Sequence, residues 1–286
     1  MEWRRGVDRP KRLPRVCWQV LKYMLLLAYL AVTTFPLIWL FYNSFKTMPE
    51  IMQSAFALPK SINLDNYTKI WMSGRFPRYY LNSILVSTVS VLGIAAFSTM
   101  AGYVFSRIRF RMREVLFYFF LAGMMIPVQV TLIPNFVMLR SLKLLDSYPA
   151  MILPYIAFGL PVSIYIMRTF FDEIPVELEE AARIDGCSRP GIFWWVMLPL
   201  ARPAVATIVI YNFFTVWNEL IFALTFINNP KYRTIPLGLM DFVGQFEVNL
   251  SYIFAALVSA MLPLLIVYFF AQRQIISGLT AGAVKG

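Results

Sequence analysis

The chain has 286 residues, 59% of them hydrophobic and 14% charged, with 26 Lys and Arg against 15 Asp and Glu. A soluble domain carries roughly a quarter charged residues, so the apolar excess here must face lipid. There is no histidine and only two cysteines, Cys17 and Cys187, which excludes His-based catalytic dyads and Cys/His metal sites.

Seven basic residues between Arg4 and Lys22 precede the first apolar run. That run is too long for a signal-peptide core and no small-x-small cleavage site comes after it, so it reads as an uncleaved first span with its N-terminus inside. A bilayer core requires about 20 mainly apolar helical residues. Six stretches qualify: 23–42, 84–105, 115–139, 150–167, 205–227 and 253–270, and Glu219 is the only formally charged residue in them. The expected fold class is therefore an all-α membrane protein with six transmembrane helices in one domain, residues 1–286. No internal repeat or low-complexity segment divides it. Pro36, Pro127, Pro134, Pro154, Pro161 and Pro263 fall inside spans and predict kinks, not breaks.

With both termini inside, inner segments carry 17 of the 26 Lys and Arg, and the hairpin with Arg107, Arg109, Arg111 and Arg113 marks an inner loop. The +11 charge is read as cations beside anionic lipid. It is not read as a nucleic-acid footprint, because no basic patch interleaves with stacking aromatics. Both cysteines then lie in cytosolic segments, where no disulfide is expected. On the outer side, Leu64, Tyr67, Ile70 and Trp71 share one helical face and predict a short helix on the membrane surface. Residues 228–250, with Pro230, Pro236, Gly238 and Gly244, predict an irregular outward loop.

The longest inner segment, residues 168–203, predicts two short helices. Pro175 suits the first position of a helix, with Asp172, Glu173, Glu177, Glu179 and Glu180 crowding its positive end and Arg183 nearer its negative end. Gly186 suits the left-handed residue that ends it. Ser188 is an N-cap for a second helix with Pro190 in its first turn, stopping before Pro199. The first helix, residues 175–185, is a rod about 16 Å long. Ala181 and Ala182 give it a small-residue surface.

Glu180-Ala181-Ala182, Gly186, Val196 and Leu198-Pro199 together resemble the EAA loop of ABC-importer permeases, with Val196 where that pattern has Ile. Trp217-Asn218-Glu219 and the ending from Gly278 to Gly286 resemble the carbohydrate-uptake branch, and within it the MalG-type maltose-transporter permeases. The resemblance implies a type I importer bundle in a bacterial inner membrane with cytoplasmic termini. It implies that Glu180, Ala181, Ala182, Gly186, Val196 and Pro199 form a coupling loop that docks on an ATPase. Gly278, Leu279, Thr280 and Gly282, in a tail over 271–286, would reach between two ATPase subunits. The implied partners also include a second homologous permease and an external solute-binding protein, whose sugar cleft residues 228–250 would enter. This chain would bind no cofactor, ATP and Mg being held by the ATPases, and it has no Walker-type loop (G-x-x-x-x-G-K-S/T) of its own.

Tyr211, Asn212, Thr215, Asn218 and Glu219 cluster on one side of span five. An ionisable group inside a membrane faces the bundle interior or water, which makes Asn212, Thr215, Asn218 and Glu219 candidates for the translocation path. Interhelical hydrogen bonding is the other reading. Gln129, Thr131 and Asn135 form a weaker cluster in span three. Ser98, Gly102 and Ser106 have the spacing of close helix packing. An ion-driven secondary transporter would want several intramembrane carboxylates or repeated halves, and a membrane enzyme would want an acid–base pair; the sequence offers neither. A permease for another polar solute, such as a glycerol phosphate ester, remains the alternative within the same family.

Overall fold

The computed structural model describes residues 15–242 and 249–283, with side chains described for 17–242 and 249–272. Among the described residues all regular structure is helical. Four helices are long and apolar enough to cross a membrane: α1 (Arg15–Asn43), α4 (Arg75–Arg107), α7 (Tyr148–Glu173) and α14 (Leu250–Ala283). Two bent pairs raise the count to six if each pair is one span. The first pair is α5 (Arg113–Ala122), extended by a 3-10 turn to Met125, with α6 (Val128–Ser141). The second joins residues 189–200 to α11 (Arg202–Trp217).

The centre is the packing of α4 on α7. A Cβ added at Gly102 would lie 2.5 Å from Met167 Cβ and 2.9 Å from the Arg168 backbone nitrogen, so only glycine admits this approach. The N-terminal ends of both helices meet residues 228–242. Asn82 donates to the carbonyls of Lys231 and Arg233, and Tyr148 stacks edge-on against Tyr232. Their C-terminal ends meet each other beside α8 (Glu177–Ile184), so α4 and α7 run parallel.

The prolines divide as their surroundings dictate. Pro36, Pro134, Pro154, Pro161 and Pro263 sit inside continuous helices. Pro127 does not merely kink its span. Ile126 is extended at φ −85°, ψ 113°, and the two halves meet at 102°. Proline disfavours helical geometry in the residue before it, and here the chain breaks. Span five departs from expectation as well, since its helix ends at Trp217 and resumes as α12 (Ile221–Phe226).

Short helices α2 (Met48–Gln53) and α3 (Asp65–Met72) come after α1. In α3 Ile70 and Asn66 are buried and Tyr67 is half-buried, while Leu64 and Trp71 are exposed. Asn66 is drawn in because its amide donates to the carbonyls of Ser44 and Lys46, 2.9 Å each, fixing the chain that leaves α1. Residues 228–242 are not irregular either. They form a 3-10 turn (Pro230–Tyr232), α13 (Ile235–Leu239) and a second 3-10 turn (Met240–Phe242). Polar contacts to α4 hold them: Ser83 accepts from the Ile235 amide at 2.8 Å, and the Tyr79 hydroxyl donates to Asp241 at 2.6 Å. Residues 243–248 lie outside the described residues.

Candidate functional site

The break in span five is built by Trp217, Asn218 and Glu219. Trp217 is buried, stacks on Phe213 at 5.4 Å and donates its indole N–H to Ala260 of α14 at 3.1 Å. Asn218 donates its side-chain amide at 2.8 Å to the Phe214 carbonyl, which also accepts from the Asn218 backbone amide, so both bonds close the last turn of α11. Glu219 accepts from the amides of Phe222 (2.8 Å) and Ala223 (3.3 Å) and from the Tyr155 hydroxyl of α7 (2.6 Å). A carboxylate that satisfies the first free amides of a helix does the work of an N-cap. Glu219 therefore starts α12 and ties it to α7.

A cavity of about 420 Å³ opens beside this break, lined by Gln129 of α6, Tyr155 and Phe158 of α7, Tyr211 and Asn212 of α11, and the residues of the break. The sequence-predicted stripe of Tyr211, Asn212, Thr215, Asn218 and Glu219 is thus brought together. Its members differ in access. Tyr211, Thr215 and Asn218 are exposed, whereas Asn212 is 2% exposed and donates to Ser163 and to the Ile208 carbonyl. The wall mixes aromatic faces with amide and hydroxyl groups, a lining that can stack on and hydrogen-bond to a polar organic solute.

The second candidate region is α8 with the helical turns after it. The helix begins at Glu177, two residues later than Pro175 allowed, because the first turn closes on the Val176 carbonyl. Eight residues span about 12 Å. It ends at the expected glycine: Gly186 has φ +86°, its amide bonds the Arg183 carbonyl, and the Cys187 amide bonds Ala182, the paired bonds of a Schellman motif. Ser188 caps α9 (Arg189–Ile192), accepting from the Gly191 amide. The chain does not stop before Pro199. A π turn (Phe193–Met197) carries it into α10 (Leu198–Leu200). The Leu198 amide reaches back to Phe193, a wide turn suited to the amide that Pro199 lacks.

The six predicted docking residues separate into two groups. Glu180, Ala181 and Gly186 are exposed. Ala182 is buried, and Val196 packs with it in a cluster that includes Phe171, Ile192, Met197 and Ile208; Pro199 is half-buried. The outer face of α8 also presents Leu178 and Ile184, the latter 87% exposed. These two are absent from the sequence-predicted set, although their spacing from Ala181 shows the face they share. Gly278, Leu279, Thr280 and Gly282 lie in the last turns of α14, continuous with the span. Their side chains, and residues 284–286, fall outside the described residues.

Known proteins resemble this chain over most of its length. The chain belongs to the family described as the binding-protein-dependent transport system inner membrane component, whose profile matches residues 94–280. A putative ABC transporter permease of Caldicellulosiruptor sp. is 40% identical over 265 residues, covering 92% of this chain and 96% of its own. The trehalose/maltose transport system permease of Thermococcus litoralis is 36% identical, covering 89% and 92%. The diacetylchitobiose uptake system permease of Streptomyces coelicolor is 31% identical, covering 93% and 88%. Among solved structures, a chain of a bacterial ABC transporter importing the acidic polysaccharide alginate superimposes with a TM-score of 0.82 at 26% identity, covering 93% of this chain and 99% of that one.

Proposed function

We propose that this chain is the permease subunit of an ATP-binding-cassette importer that passes a sugar or oligosaccharide through the membrane, and that α8 is the handle on which the ATPase acts. The observation that carries this reading is the two-faced geometry of α8. Glu179 and Ala182 are buried against the bundle, while Glu180, Ala181 and Ile184 are exposed on a rigidly capped helix. A surface that is small, apolar and ringed by carboxylates fits a groove on a soluble partner.

Six crossings are the count that helix direction supports. Because α4 and α7 are parallel, the chain between them crosses the bundle an odd number of times, which makes the bent α5–α6 pair one span. The end of α1 and the start of α14 meet through Trp39 and Phe254, 5.2 Å apart. They pack with α3, whose Ile70 clusters with Phe76 at the start of α4, on the side opposite α8. In this reading the start of α1 and the end of α14 lie on the α8 side, the inner side by the charge bias, with the membrane being the bacterial inner membrane.

The partners in this reading are a second homologous permease, two ATPases that hold ATP and Mg, and an external solute-binding protein. This chain is mechanical, not catalytic, and binds no cofactor. ATPase closure would push paired α8 helices together and switch the access of the 420 Å³ cavity. Residues 228–250 would enter the cleft of the binding protein, and the end of α14 would reach the ATPases. The saccharide class is supported by relatives named for trehalose/maltose and diacetylchitobiose and by the aromatic and amide lining.

Two substitutions test the handle in the assembled transporter. Glu180→Lys reverses an exposed charge. In Gly186→Leu the new Cβ has no atom within 4 Å, but the residue must adopt φ +86°, a strain of about 1–2 kcal/mol. Both are expected to release the ATPase or uncouple it from transport. Wild-type transport with normal ATPase co-purification in both would overturn the assignment.

A further inference from the structure

The arginine hairpin does more than set orientation. Arg107, the last residue of α4, forms an ion pair with Glu179 of α8 at 3.0 Å, and the two side chains are only 10% and 8% exposed. The same guanidinium donates to the carbonyls of Phe171 and Ile174, where α7 ends. The Tyr103 hydroxyl reaches the other Glu179 oxygen at 3.5 Å. One side chain thus ties together the ends of α4, α7 and α8.

A second set of contacts lies alongside. Ser106 donates to Asp172 at 2.6 Å, and Arg168 donates to both oxygens of Glu114 at 2.8 and 2.9 Å while lying 3.9 Å from the Phe117 ring. These bring α5 into the same body. Ser106 is one helical turn beyond Gly102, where α4 packs closely on the backbone of α7. Among the described residues none of these polar contacts reaches α1 or α14.

We propose that Arg107 and Glu179 are positioning residues for coupling, a joint through which displacement of the docked α8 moves α4, α5 and α7 as one unit. Residue 179 faces the bundle while residue 180, the next in the chain, faces outward, so one helix carries a motor face and a bundle face about 100° apart. A buried ion pair resists separation because removing one partner strands the other without water. Packed interfaces switch between arrangements more readily than they stretch, and the rearrangement falls elsewhere, between this unit and α14. This rests on the proposed docking of α8.

The test uses the complete importer with Cys17 and Cys187 replaced by serine. Spin labels at Arg183→Cys, which is exposed but off the face of Ala181 and Ile184, and at Phe110→Cys report distance within the unit, and labels at Arg183→Cys and Phe269→Cys report distance across it. Through a nucleotide cycle the first distance should stay within about 2 Å while the second shifts by more. In the same complex, Glu179→Gln and Arg107→Lys should keep the ATPase bound and hydrolysing yet lower solute moved per ATP by about fivefold or more. Glu179→Asp should restore much of it. Equal changes in the two distances, or wild-type stoichiometry in assembled Glu179→Gln, would overturn the joint. If Glu179→Gln does not assemble, the distance pair on the unaltered joint decides. Failure of the ATPase to bind the unaltered chain would overturn the docking reading instead, and the joint with it.

Discussion

Removing the Glu219 carboxylate should destabilise the bundle through Tyr155, and the size of the effect can be worked out contact by contact. Glu219→Ala frees the Phe222 and Ala223 amides, a capping loss of about 1 kcal/mol. It also strands the hydroxyl of Tyr155, a residue only 4% exposed, at about 1–3 kcal/mol. Polar contacts in membrane bundles average about 0.6 kcal/mol, so three of them set a lower bound near 2 kcal/mol. The expected loss is about 2–4 kcal/mol. Glu219→Gln keeps an oxygen for the amides and can donate to Tyr155, and should cost about 1 kcal/mol. Tyr155→Phe with Glu219→Ala removes the stranded hydroxyl, so the double variant should cost about 1 kcal/mol less than the sum of the singles. Unfolding of the purified protein in mixed micelles, tracked as a function of denaturing detergent, measures all four. Strict additivity, or Glu219→Ala within about 0.5 kcal/mol of wild type by that cycle, would refute the clamp.

Three further outcomes are expected. In a background without native cysteines, Thr215→Cys and Asn218→Cys should react with a water-soluble thiol reagent while Asn212→Cys, at a position 2% exposed, stays protected; the reverse order would remove the cavity from the path. Gly238→Ala would place a Cβ 2.1 Å from the Tyr79 ring, which is buried and held by Asp241. Overpacking of this kind costs about 1–3 kcal/mol, and amide exchange across residues 228–242 should accelerate, an unchanged rate counting against the docked geometry. The Thr47 amide, hydrogen-bonded to the Glu50 carboxylate, is the main cause holding that group below its ordinary pKa of 4.5. Its stabilisation of α2 is full above the ordinary value and lost as the pH falls through the lower folded value. Exchange of residues 47–53 should therefore rise on acidification in wild type, and Glu50→Gln should abolish that acid limb.

Much of this architecture is legible in the residues because a bilayer imposes a simple rule on composition. Four of the six apolar stretches lie within single helices, and the caps of α8 and α9 are readable because Gly186 and Ser188 act on backbone groups a few residues away. The breaks are not readable in the same way. Pro127 looks like the five prolines that sit inside continuous helices, and what separates it is the extended Ile126 before it, a choice made by packing. The break at residues 218–220 carries no proline. Its signal is Glu219, whose place in a membrane span suggests a path residue and hides its role as a cap. Arg107 escapes notice for a related reason. A charge at the end of a span is ordinary, and only the fold brings the distant Glu179 to it.

Whether a soluble motor covers the outer face of α8 is the central question. Thiol reactivity of a single cysteine at position 184, in this chain alone and in the assembled transporter, tests that most directly. Ile184→Cys should label readily alone, its parent residue being 87% exposed, and be shielded at least about tenfold once the ATPase is bound, as expected for a site inside a protein interface. Equal labelling in both states would contradict the assignment of α8 as the coupling element.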